Sequence, residues 1–299
     1  MDIILKIIPV VLIFLLGYIL KRLNILKKED GDLFLKVVYY IALPALIIIS
    51  VADVELRPNF VFLPIAAVLT ALTTTLISYW TGRILRLPRP SLGTFIIGST
   101  IMNIGFTLPF FITAYGKQGL ARITMFDFGN MAIIFTFVYW LACKHGATDI
   151  DQKAMVKKLL LVPPMWALAI AVLLNLLKIP IPSFINDFLG MVGWMMTPLV
   201  MLALGLYFSP KMVRMGPVFS ATFIRMILGF ACGYVLANLF GLEGLNRSIV
   251  MIGSAAPVGY TTLTFSYLEN LDKEFAASLI SFSIIMGMII TPALILLLQ

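Results

Sequence analysis

Asn103 is a polar residue inside an apolar segment long enough to cross a bilayer. Its surroundings, residues 98–116, read GSTIMNIGFTLPFFITAYG. Gly105 and Pro109 follow, and both disfavour a continuous helix: proline lacks the backbone N–H, and glycine loosens the turn before it. Thr107 adds a hydroxyl between them. A second stretch, GSAAPVGYTTLTFSY over 253–267, repeats the pattern with Pro257, Gly259, Thr261 and Thr262. Backbone groups freed at bilayer depth must be satisfied by protein or by water in a cavity. Two interrupted apolar segments in matching positions of two halves mark a transporter's binding site. Half-helix ends meeting there would present N–H groups and positive dipoles on one side and carbonyls on the other. Such ends hold an anion or carboxylate without a formal positive charge, and the Asn103 amide both donates and accepts. The alternative is a pair of proline kinks buried in a helical bundle, with no ligand.

Ionisable groups inside apolar segments are the next candidates, because burying them is costly. Asp127 lies in the run FDFGN, with Asn130 about one helical turn later on the same face. The pair could form a proton or cation site or a polar cavity wall; alternatively Asp127 lies near the outer membrane edge, solvated or paired with Arg122. Arg225, roughly 12 Å into its segment, is expected to snorkel to the cytoplasmic surface rather than attract an anionic substrate. Tyr39, Tyr40, Trp194 and Tyr207 could line a cavity or fill the interior. Pro44 and Pro198, each in the second segment of its half, are expected to serve helix packing. Cys143, Cys232 and the lone His145 fit no metal or redox spacing, so no metal site and no cofactor are expected. No P-loop, HExxH, GxSxG or TVGYG sequence is present, which argues against ATP-driven transport, hydrolysis and a potassium filter. The reading is therefore not of an enzyme.

These residues need long helices to position them. The 299 residues are 61% hydrophobic and only 12% charged, far from a soluble domain. That composition gives an all-α polytopic membrane protein. The net charge of +8 reflects basic loops that set topology and meet anionic lipid; no nucleic acid is implied. Ten segments fit the bilayer ruler: 3–20, 33–53, 60–81, 91–115, 121–142, 159–177, 187–207, 217–240, 247–268 and 275–298. The apolar start has no small-residue cleavage site and reads as the first span. The loops and segment ends on one side carry 14 Lys and Arg and those on the other six; Lys36 and Arg225 are left uncounted within their segments. The richer side is cytoplasmic by the positive-inside rule, which leaves both termini extracytoplasmic in a plasma (inner) membrane.

The hydrophilic stretch KHGATDIDQKAMVKK divides the chain into a first five-helix repeat over 1–142, a cytoplasmic linker over 143–158 and a second repeat over 159–299. Five spans per half require the halves to be inserted upside down relative to each other, an inverted repeat. A slide of 155 residues pairs Gly98-Ser99 with Gly253-Ser254, Thr107 with Thr262 and Phe110 with Phe265. The interrupted segments come fourth in each half, as helices 4 and 9.

The run NIGFTLPFFITAYGKQGLARITMFDFGN, 103–130, resembles the fourth and fifth helices of prokaryotic auxin efflux carrier proteins, relatives of the plant auxin exporters. The run AAPVGYTTLTFSYLENLDKEFAASLISFS, 255–283, resembles their ninth and tenth helices. The resemblance covers essentially the whole chain. It implies a fold related to the bile acid/sodium symporters, in which helices 1, 2, 6 and 7 form a scaffold and helices 3–5 and 8–10 a transport domain. Helices 4 and 9 would cross at their breaks, movement would be elevator-like, small organic anions would be carried, and a homodimer would form through the scaffold. The first crossing then falls on Asn103, Gly105 and Pro109 and the second on Pro257 and its neighbours. Plant exporters carry Asn-Pro-Asn at the first crossing; here Ile104 and Gly105 follow Asn103, which points away from auxin. The expected function is secondary transport of small organic anions at the helix 4/9 crossing, either as a uniporter or coupled to H⁺ or Na⁺ through Asp127. The rivals are a sodium-coupled bile-acid-type symporter and a membrane sensor that transports nothing.

Overall fold

The computed structural model describes residues 2–54, 58–146, 163–208 and 213–298. Within them the chain is helical. The helices are α1 (Asp2–Arg22), α2 (Lys28–Val51), α3 (Pro58–Ile84), α4 (Arg89–Thr100), α5 (Ile104–His145), α6 (Pro163–Leu176), α7 (Ser183–Tyr207), α8 (Met215–Leu239), α9 (Gly244–Ser254), α10 (Thr261–Leu268) and α11 (Lys273–Leu297). Six of them, α2, α3, α5, α7, α8 and α11, are long and apolar enough to cross a membrane. The stretches predicted at 91–115 and 247–268 are each divided: α4 stops at Thr100 and α9 at Ser254. Most of the predicted linker lies outside the described residues.

Helix α5 contains one non-helical residue, Gly116, at φ 58° and ψ −147°. This left-handed backbone suits glycine, and it falls where the sequence places the loop between the fourth and fifth segments. Pro109, expected to help break a helix, lies inside α5 and is buried. The first interruption instead occupies residues 101–103. What proline does at 109 is withhold the helical bond to the Gly105 carbonyl, and Gly105 is exposed.

Two compact units make up the chain. The first comprises Met1–Phe60, Gly105–Thr124 and Val162–Phe208. In it α1 and α7 meet closely: a side chain on Gly17 would run into the Leu202 backbone, and one on Gly205 into that of Phe14 and Tyr18. Small residues let membrane helices approach in this way. The Asn175 amide nitrogen lies 2.7–2.9 Å from the carbonyls of Val51, Ala52 and Val54, closing the end of α2.

The second unit comprises Val61–Ile104, Met125–Leu161 and Ser209–Gln299. Here α3 runs beside both interrupted helices. The Thr75 hydroxyl meets that of Thr100 at the end of α4 (2.8 Å), and the Thr70 hydroxyl meets that of Ser254 at the end of α9 (3.1 Å). At one end of this unit Asp272 caps α11 through the Phe275 N–H and accepts from Ser91 and Arg214.

Candidate functional site

Residues 101–103 and 255–260 leave the helix, so their N–H and C=O groups need new partners. They find some of them in each other. Met102 and Val258 form an antiparallel bridge. The Asn103 N–H donates to the Pro257 carbonyl at 2.8 Å, and the Gly259 N–H donates to the Ile101 carbonyl at 2.9 Å. The Val258 N–H donates to the Ser283 hydroxyl at 3.1 Å, and the Asn103 side-chain amide reaches the Val258 carbonyl at 3.4 Å. Pro257 has no N–H to satisfy. Gly259 is needed for the approach, because a Cβ there would strike the Ile101 side chain.

The helices that end here also leave carbonyls. Arg225 takes them. It is fully buried, and its guanidinium donates to the Thr100 carbonyl at 2.8 Å and the Ser254 carbonyl at 2.6 Å, with Ser99 at 3.4 Å. The expectation that Arg225 snorkels to the surface is therefore wrong. Its segment turns it inward, towards two helix ends whose negative dipoles favour a cation, and sequence distance from the membrane edge carries no information about which way it faces.

Asp127 and Asn130 join the same place. Asp127 is nearly buried, at 9% exposure, and accepts from the Asn130 amide at 2.8 Å; that amide also lies 3.2 Å from the Met102 carbonyl. One side chain thus links the carboxylate to the bridged strand. The Asn130 carbonyl oxygen and the Thr262 hydroxyl are buried without a hydrogen-bond partner among the described residues. Thr261, next to Thr262 in sequence, is half-buried. Asn103, Pro257, Gly259, Thr261, Thr262, Asp127 and Asn130 all belong to the second unit, whereas Gly105, Thr107 and Pro109 belong to the first. In that first unit Arg122 donates to Gln118.

The sequence model of the membrane transport protein family matches residues 2–295 and so takes in both interruptions. The chain belongs to the membrane transport protein family. This is the auxin efflux carrier grouping that runs 103–130 and 255–283 resemble. An uncharacterized transporter of Methanocaldococcus jannaschii is 28% identical over 288 residues, 93% of this chain and 92% of the relative. Another, of Methanothermobacter thermautotrophicus, is 26% identical over 293 residues, 96% and 95% of the two chains.

This membrane transport protein also uses residues that sequence reasoning passed over. Thr70, Thr75 and Ser283 serve the interruptions; the threonine run on α3 was the signal for the first two, and Ser283 on α11 had none. Glu269 is buried where α10 ends and accepts from Tyr139. No group of three or more His, Cys, Asp or Glu among the described residues is placed to hold a metal.

Asn130→Ala removes the donor to Asp127 and leaves a buried carboxylate and the Met102 carbonyl short of a partner. The expected cost is about 1–3 kcal/mol, read as a lower thermal unfolding midpoint of the purified protein in detergent.

Proposed function

We propose that this protein is a secondary transporter of small organic anions, with the substrate held where residues 101–103 and 257–259 pair. The observation that carries the reading is the hydrogen-bonded meeting of two interrupted helices beside a buried carboxylate. Helical backbone at membrane depth is given up only where protein or a cavity can satisfy it. Two helices, α5 and α10, restart at the interruptions, and their first N–H groups supply positive potential without a lysine or arginine. Asn103 and the hydroxyls of Thr261 and Thr262 complete a site for a carboxylate. The proposed site is made of second-unit residues; Gly105, Thr107 and Pro109 belong to the first unit.

Ten spans in two inverted five-helix repeats, 1–142 and 159–299 about the 143–158 linker, are part of the same proposal. The two crossing bonds support it. Asn103 and Gly259 stand 156 residues apart, as do Ile101 and Pro257, so one bond maps on the other within a residue of the 155-residue slide. Movement is proposed to be elevator-like, in a plasma membrane with both termini outside, in a homodimer joined through the scaffold. The grouping of α1, α2, α6 and α7 in one unit supports the scaffold, with residues 105–124 joining it here.

Asp127 is proposed as the coupling group, taking H⁺ or Na⁺. It lies one side chain from the crossing, so its charge state can bear on the bridged strand through Asn130.

Uptake of labelled malonate into proteoliposomes tests the site. Saturable uptake is expected, and Asn103→Ala should lower it roughly tenfold or more, the worth of a hydrogen bond to a charged group. Wild-type vesicles that take up no small carboxylate under any gradient would contradict the reading. In the same assay Asp127→Asn should retain malonate binding while uptake loses its dependence on a pH or Na⁺ gradient. Unchanged gradient dependence would remove Asp127 as the coupling group.

A further inference from the structure

Arg225 has no part in the transport reading above, yet it is the largest fully buried side chain in the described protein. A buried cation inside a membrane-spanning helix is costly unless it is paired and fully hydrogen-bonded. Its two terminal nitrogens find three main-chain carbonyls drawn from the ends of two different helices, while Nε is buried without a partner among the described residues. Those ends are the C-terminal ends of α4 and α9, the places where the chain turns into the two paired strands.

We propose that Arg225 is a positioning residue: its guanidinium ties the ends of α4 and α9 together and so sets the register in which residues 101–103 pair with 257–259. The planar fork makes this arrangement. One nitrogen, Nη1, serves Thr100 and Ser99, and the other, Nη2, serves Ser254. A lysine ammonium is a single point on a flexible stem and cannot reproduce two directed donors at that separation. The guanidinium also sets a full positive charge against two helix ends that each carry about half a negative charge.

Two local features of α8 provide for the contact. Residues Phe223–Leu228 form a π-helical turn, a wide turn that changes which side chains face inward. Gly229 follows it directly, four residues after Arg225. A Cβ there would run into the Ser254 carbonyl and come within 2.6 Å of Nη2, so the absence of a side chain at 229 leaves the guanidinium its place. α3 also holds the same two helix ends, through the Thr75 and Thr70 hydroxyls.

The consequence for substrate rests on the proposed transport function: a crossing out of register would place Asn103 and Thr261 wrongly and weaken anion binding without touching the anion. The consequence for the backbone does not. Hydrogen–deuterium exchange of the full chain in lipid nanodiscs reads it directly, in peptides spanning 98–106 and 255–262. In Arg225→Met, exchange at these segments should rise about tenfold or more, the worth of charge-assisted bonds, while peptides of α1 and α2 keep their wild-type rates. Arg225→Lys should fall between the two. Gly229→Ala keeps the cation but displaces it, and should loosen the same two segments; it serves if Arg225→Met does not fold. Where malonate is carried, KM should rise in these variants by more than turnover falls. Unchanged exchange at both segments in a folded Arg225→Met or Gly229→Ala would overturn the proposal, as would a uniform rise across the whole second unit, which is the mark of general destabilisation. Failure of the wild type to carry any carboxylate would sink the transport reading and leave the exchange result to decide this one.

Discussion

Stopping a helix inside a low-dielectric region leaves main-chain donors and acceptors with no water to take them. In this protein the constraint arises twice, after Thr100 and after Ser254, and the two problems solve each other. Exchanged N–H···O=C bonds join residues 101–103 to 257–259, and one guanidinium closes the carbonyl ends of both helices. Ser283, Asn130, Thr70 and Thr75 supply the remaining polar contacts from neighbouring helices. The second unit is arranged so that α3, α5, α8 and α11 each bring at least one such side chain to the interruptions.

The arrangement has an electrostatic side. Arg225 offsets the negative poles of α4 and α9, while the positive poles of α5 and α10 keep no formal counter-charge of this kind. The nearby carboxylate, Asp127, is bound to Asn130. The proposed transport function draws on this disposition: uncompensated positive poles for a small anion, and Asp127 as the proposed coupling group beside them. Membership of the membrane transport protein family is in keeping with this.

Most outer helix boundaries were legible within about five residues from the lengths of the apolar runs, but the division expected between 91–115 and 121–142 was not, because α5 runs from Ile104 to His145 with Gly116 as its one non-helical residue. The two interruptions were legible from Gly and Pro in otherwise apolar runs, although the first one lies a few residues before Gly105 and Pro109. Pro109 was misleading because a membrane helix can run through a proline at the cost of one bond, here the one to the carbonyl of exposed Gly105. Arg225 was misplaced because a charge in an apolar segment says nothing of its direction, and the wide turn at 223–228 that aims it has no sequence mark we could read. The pairing of Met102 with Val258 lies beyond any local pattern, since it joins residues on different segments through backbone groups that every residue has.

The central claim is that substrate binds where the two interruptions meet. The most direct measurement is substrate protection of a thiol placed there. Thr261→Cys would be made in a background without Cys143 and Cys232, with Leu23→Cys, an exposed position, as the control. Malonate should slow labelling of Thr261→Cys by a small thiol reagent saturably and leave the control unaffected. Labelling indifferent to malonate, in vesicles that still take malonate up saturably, would place the substrate elsewhere and contradict the account.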